Sequence, residues 1–159
     1  MASSVYIETS IPSAYATTRT DPGSVYRCAK TKQWWHEQLH LYEPWTSDAV
    51  FVELSEGDWP GKMEALALVE ALRRLEIDEE TVAIAGRYVQ EHLVPGNVRG
   101  DALHLAVATM HEVDFLLTWN IRHLANPNKL DHLTVINRRL GLLTPRIVTP
   151  EMLWLDEGP

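Results

Sequence analysis

Short apolar runs alternate with helical text along the whole chain, and this alternation restricts the fold more than any other feature. Val5–Ile7 and Phe115–Trp119 are continuous apolar runs of strand length, the pattern of strands buried on both faces. Leu41–Thr46, Leu75–Ile77 and Arg146–Val148 read as further short strands, with Pro44 placing the first of these at a sheet edge or a strand end. Between them, helices are predicted over Tyr26–His40, from a cap at Ser47 or Asp48 to a stop at Gly57, and over Gly61–Leu72. Others are predicted over Glu79–His92 (capped by Asp78), Arg99–His111, Leu130–Leu140 (ended by Gly141), and from Pro150 onward. Arg99–His111 is apolar almost all round and should be buried. Pro95-Gly96-Asn97 reads as a turn and Ala125–Lys129 as a loop. Strands alternating with helices imply an α/β fold: a three-layer α/β/α sandwich around a mostly parallel central sheet, with any site at the carboxyl ends of the strands.

No linker, repeat or low-complexity run divides the 159 residues, which read as a single domain spanning 1–159. Apolar stretches are too short to span a bilayer, and the N-terminus lacks the basic-then-apolar pattern of a secretory signal. Cys28 is the only cysteine, so an internal disulfide and a thiolate-rich zinc site are both excluded. A cytoplasmic protein without a membrane anchor is the expectation. The net charge of −8 opposes nucleic-acid binding through general basicity, but a carboxylate site carries part of that charge and divalent ions would invert the local field. No GxGxxG, GxxxxGK[ST] or GxSxG motif occurs, which removes support for nucleotide-binding and serine-hydrolase readings.

Carboxylates sit where the predicted fold would gather them. Glu8 closes the first strand, Glu53 lies on the helix after the second, and Asp101 opens the apolar helix. Asn120 ends the central strand, at a place where a fourth carboxylate would complete the set. Such groups are costly to bury unless paired or bound to a metal, and together they would hold Mg²⁺ or Mn²⁺, which take oxygen ligands. Glu56 competes with Glu53, three residues on along the same side of the helix; the spacing from Ser47 and to Gly57 favours Glu53. Asp101 alone would be read as a helix cap, but Gly100 before it and the apolar helix after it favour a metal-facing role. Asn120 fits either a cap or a ligand. Thr9, Ser10 and Thr118 are candidate hydrogen-bond donors to these carboxylates. His104 reads as a hydrogen-bonded core histidine, and His111 and His123 as structural or surface residues. The His36/His40 spacing lacks the third ligand that a zinc site needs. Trp34, Trp35 and Trp119 read as core. Arg19, Arg27, Lys30 and Lys32 form a basic stretch that would grip phosphates or simply face solvent, the latter slightly favoured.

The order Val5-Tyr6-Ile7-Glu8-Thr9-Ser10, Ser47 to Gly57, Asp101 to Ala108 and Leu116 to Asn120 resembles the PIN domain, a metal-dependent ribonuclease fold, and most closely its toxin-like members from bacterial toxin–antitoxin pairs. The chain departs from that pattern twice, with Glu8 and Asn120 standing where the family usually has Asp. The resemblance implies an RNA hydrolase with Glu8, Glu53, Asp101 and Asn120 as catalytic and metal-binding positions. It further implies a homodimer and a small antitoxin protein whose basic or bulky segment fills the acidic cleft.

Overall fold

The computed structural model describes residues 2–96 and 98–156. Its centre is an all-parallel sheet of five strands: β1 (Ser4–Ile7), β2 (Glu43–Thr46), β3 (Arg73–Arg74), β4 (Phe115–Leu117) and β5 (Arg146–Val148), in the order β3-β2-β1-β4-β5. Among the described residues seven α-helices flank it: α1 (Ser10–Ala16), α2 (Pro22–Glu37), α3 (Asp48–Ser55), α4 (Lys62–Glu70), α5 (Glu79–Gln90), α6 (Asp101–Met110) and α7 (Pro127–Arg139). The predicted α/β/α architecture is the one observed.

Strand β1 is central and buried from Val5 to Ile7, and its side chains alternate between two cores. Tyr6 packs with residues of α3, α4, α5, α6 and α7 on one face, while Val5 and Ile7 pack with Trp34 of α2 and Leu153 on the other. The second core is closed by a strap: the Trp34 indole N–H donates to the Leu153 carbonyl at 2.7 Å, and Gln38 exchanges hydrogen bonds with the Leu155 backbone. Helix α6 is buried along most of its length, as its apolar text requires.

Several element boundaries differ from the sequence reading. Ser10–Ala16 forms a helix that its pattern did not announce; Pro12 is tolerated because the first turn needs no internal N–H donor. The strand expected at Leu75–Ile77 is instead Arg73–Arg74, defined by pairing with Trp45 and Thr46 rather than by apolar text. Pro44 lies in an interior strand but at a point that β3 does not reach, so it interrupts no ladder there. Helix α7 starts at Pro127, with the Asn126 side chain capping Asn128 N–H, so most of the expected 125–129 loop is helical. Pro150 begins a turn and not a helix. The turn expected at Pro95-Gly96-Asn97 includes Asn97, which lies outside the described residues.

Gly61 caps the start of α4 at a point where no side chain fits. Its φ is +91°, and a Cβ there would lie 2.1 Å from the carbonyl oxygen of Ala16 at the end of α1. The absence of a Cβ is what lets α4 start against α1.

Candidate active site

Glu8 follows the last paired residue of β1 and is 4% exposed. Local chain geometry satisfies it: Ser10 N–H donates to Oε2 at 2.7 Å and the Thr118 hydroxyl to Oε1 at 3.2 Å. Ser10 Oγ in turn bonds Thr118 Oγ1 and accepts the Trp119 N–H. The two central parallel strands thus deliver Glu8 and Thr118 side by side. From α3, Glu53 receives the Thr9 hydroxyl at 3.1 Å and contacts Nε2 of His104 through the same oxygen, Oε1. From α6, Asp101 is held by Asn120, whose Nδ2 donates to both carboxylate oxygens at 3.1 Å. Asn120 Oδ1 accepts the His123 N–H at 3.1 Å, so this residue acts as a local cap and a carboxylate clamp at once.

His104 lies in the middle, one helical turn after Asp101 and 1% exposed. Its Nδ1 is 2.7 Å from Tyr6 Oη, which is 2.7 Å from Ser47 Oγ. A chain of contacts therefore runs Ser47–Tyr6–His104–Glu53, linking the N-cap of α3 to a carboxylate at its other end.

Burial pushes the Glu8 carboxyl above its ordinary range, against the charge of His104 and the Ser10 hydrogen bonds, with Glu53 adding to the rise. Burial likewise raises Asp101, opposed by His104, His123 and the Asn120 amide. Burial alone would lower His104, but the Glu53 hydrogen bond and the charges of Glu8, Glu53 and Asp101 outweigh it and the net shift is upward. Burial would raise Glu53 too, yet its bond to and charge from His104, with the Thr9 hydroxyl, hold it low. The carboxylates thus favour the charged form of His104, in which both ring nitrogens carry protons and donate to Tyr6 and Glu53 together.

These directions set a pH dependence for the metal-free protein. Glu8, Asp101 and His104 bind protons more tightly folded than unfolded. Their stabilisation is complete below the unfolded pKa values and is lost as pH rises through the folded ones. Glu53 works the opposite way, stabilising above the unfolded carboxylate range and failing as pH falls through its lowered value. Above the range where Glu53 titrates, the first three dominate, so the melting temperature of protein kept in chelator should decline as pH rises beyond the ordinary histidine range. Glu8→Gln should flatten this slope. A flat or rising profile in the wild type would contradict this balance of charges.

How well these donors suit a hard divalent cation depends on which carboxylates already have partners. Among the described residues no three His, Cys, Asp or Glu side chains stand together as a ready metal cage. Glu53 is drawn to His104 and Asp101 to Asn120. Glu8 and Asp101 are engaged by neutral donors, which suits Mg²⁺, an ion that keeps several waters and takes one or two carboxylates plus substrate oxygens. Glu8 and Asp101 are carboxylates whose raised proton affinity a cation would relieve.

Glu8, Glu53, Asp101 and Asn120 lie in one network of contacts, with Thr9, Ser10 and Thr118 as hydrogen-bonding neighbours. His36 instead bonds Tyr15, and Trp34 is core. Sequence reasoning missed the site placement of His104 and Tyr6. The signals were there: His104 is three residues after Asp101 on one helix, and Tyr6 is two before Glu8 on one strand, each on the carboxylate's own face.

No family model matches the chain, and no curated protein sequence matches it. Solved structures do. VapC20 of Mycobacterium tuberculosis, a sarcin-ricin loop cleaving toxin, is similar at 15% identity with a TM-score of 0.58, over 75% of this chain and 92% of that one. VapBC2 from Rickettsia felis, solved bound to a DNA fragment from its promoter, is similar at 13% identity with a TM-score of 0.53, over 92% of this chain and 98% of that one. With five parallel strands between helical layers, this chain has a PIN-like fold, the fold it shares with the VapC20 toxin.

Proposed function

We propose that this chain is a Mg²⁺- or Mn²⁺-dependent endoribonuclease and the toxin of a toxin–antitoxin pair. What supports this reading is the pairing of Glu8 with Thr118, Glu53 with His104 and Asp101 with Asn120, with all three carboxylates close enough to act on His104, in a fold shared with an RNA-cleaving toxin. Glu8 and Asp101 would hold the ion, with Glu53 beside them. When bound, the ion supplies an activated water and neutralises the charge that develops on the phosphodiester. The chain's own residues do the rest. Ser10 N–H and Thr118 fix the Glu8 carboxylate, Asn120 fixes that of Asp101, and Thr9 and His104 hold Glu53 at the rim. A homodimer, and an antitoxin whose basic segment enters the acidic cleft, belong to the same proposal.

A second reading has one observation in its favour. Asn120 replaces a carboxylate and Glu53 is committed to His104, so a PIN-like module that binds RNA or protein with little catalytic power fits the same site. One experiment separates them. Purified protein is incubated with single-stranded RNA and with a sarcin-ricin loop oligonucleotide, in Mg²⁺, in Mn²⁺ and in chelator, while its melting temperature is followed. The nuclease reading expects cleavage only with metal, and a melting rise of roughly 5–10 °C at a hundred-fold excess of ion over its Kd. Absence of both cleavage and metal-linked stabilisation would sink it.

A further inference from the structure

We propose that a pocket beside the carboxylate centre binds one nucleotide of a single-stranded RNA, with Arg27 on its phosphate and the Trp119 indole against its base; this rests on the ribonuclease reading. The pocket encloses about 260 Å³ between α1, the start of α2 and the end of β4. That is near the roughly 300 Å³ lower bound of small-ligand sites, so it has room for a single nucleotide and not for a duplex. It adjoins the carboxylates through shared walls. Ser10, which supports Glu8, and Asn120, which clamps Asp101, both line it. A strand of RNA with its scissile phosphate at the carboxylates therefore carries a neighbouring nucleotide into it.

The lining is chemically matched to that occupant. Ser13 and Thr17 add hydroxyls, and Arg27 is the one charged residue. Of the four cations in the basic stretch, three have partners. Arg19 pairs with Asp21, Lys30 lies over the Trp154 ring and Lys32 over the Tyr15 ring. Arg27 has neither an ion pair nor a ring partner among the described residues, so no carboxylate competes for its guanidinium. In a chain of net charge −8 it is the cation that a phosphate entering this pocket meets. Trp119 is pre-set rather than mobile: its Nε1–H donates to the buried Thr31 hydroxyl at 2.7 Å, and its backbone N–H to Ser10 at 2.8 Å. An aromatic wall fixed in this way stacks a base at little entropic cost and without sequence preference.

The test measures binding of a fluorescein-labelled single-stranded oligoribonucleotide by anisotropy in chelator, where no cleavage is needed. Arg27→Glu should weaken binding about ten-fold or more and reduce the slope of log K against log salt by about 0.7, one phosphate contact on a single strand. Arg138→Glu makes the same charge change on the exposed face of α7 and should alter binding little. Saturating RNA should quench indole fluorescence in the wild type and clearly less in Trp119→Phe. If the two Glu variants bind alike, or quenching is unchanged in Trp119→Phe, the pocket is not a nucleotide subsite, even where metal-dependent cleavage by the wild type upholds the nuclease reading. If the Arg27 and Trp119 effects appear but no metal supports cleavage, the subsite stands and the nuclease reading falls. If the wild type neither binds nor cleaves RNA, both fall.

Discussion

Asp101→Asn is expected to reduce metal-dependent RNA cleavage by about 100-fold or more while the protein stays folded, because several kcal/mol of charge stabilisation leave with the carboxylate. Shape and volume are kept, and a helix start accepts Asn nearly as well as Asp. No side-chain cap bond at the start of α6 is lost, since Gly100 holds the cap position and the Asp101 carboxylate is engaged by Asn120. One contact does change. The Asn120 amide donates to both Asp101 oxygens in the wild type, and an amide opposite an amide satisfies only one of those bonds, at about 1 kcal/mol. Circular dichroism and melting should therefore show a nearly intact fold. The swap Asp101→Asn with Asn120→Asp restores the hydrogen bond but moves the charge by one side chain. Full recovery of activity in the swap would mean that charge anywhere in the cluster suffices; recovery of stability alone would assign the charge to position 101. Asn120→Asp by itself places two carboxylates where a donor now meets an acceptor. It should lower the melting temperature in chelator and make the protein more responsive to metal. If Asp101→Asn cleaves RNA at the wild-type rate, the residue is a structural one and the proposed centre is wrong.

Gly61→Ala is expected to destabilise the protein by about 3 kcal/mol, lowering the melting temperature by roughly 6–12 °C. Two costs add. A left-handed φ of +91° strains any L side chain, and the new methyl group would sit 2.1 Å from a backbone carbonyl that cannot swing away as a side chain would. Gly57→Ala is the matched control. Its φ is +70°, but nothing lies within 4 Å of its missing Cβ, so only the strain of about 1–2 kcal/mol applies. Equal losses at the two positions, measured by denaturant unfolding, would show that the close approach of α4 to α1 adds nothing to stability.

The parts of this molecule legible in its sequence are those fixed by burial. Tyr6 to Ile7 and Leu116 to Leu117 are fully buried, and such strands must read as apolar runs. The apolar text of α6 likewise announced a buried helix. Carboxylates at the ends of these elements stood out because so few charges interrupt that text. The failures share a different cause. Arg73 and Arg74 are a strand only because β2 offers them partners, and they stack on Trp45 and Phe51 through their guanidinium groups. No local pattern encodes that. Helix α1 is a short element beginning at the foot of the candidate site, and its Pro12 reads locally as a breaker. The place of His104 in the site was legible only in its spacing from Asp101, which sets both on one helix face. A buried histidine is read through its neighbours, and Tyr6 and Glu53 arrive from a strand and a helix remote in sequence.

The order of strands in the sheet carries a consequence for how such a chain comes off the ribosome. Strand β1 lies between β2 and β4, so one of its two edges waits until residues 115–117 exist. The hydrogen bond from Thr118 to Glu8 spans 110 residues. At about 5–20 residues per second of synthesis, the two halves of the site are born on the order of ten seconds apart. A nascent chain stopped before α6 holds Glu8 and Glu53 but none of the groups that complete the centre. Whatever chemistry the carboxylate centre performs therefore waits until residues 101–120 have been made and have reached Glu8 and Glu53.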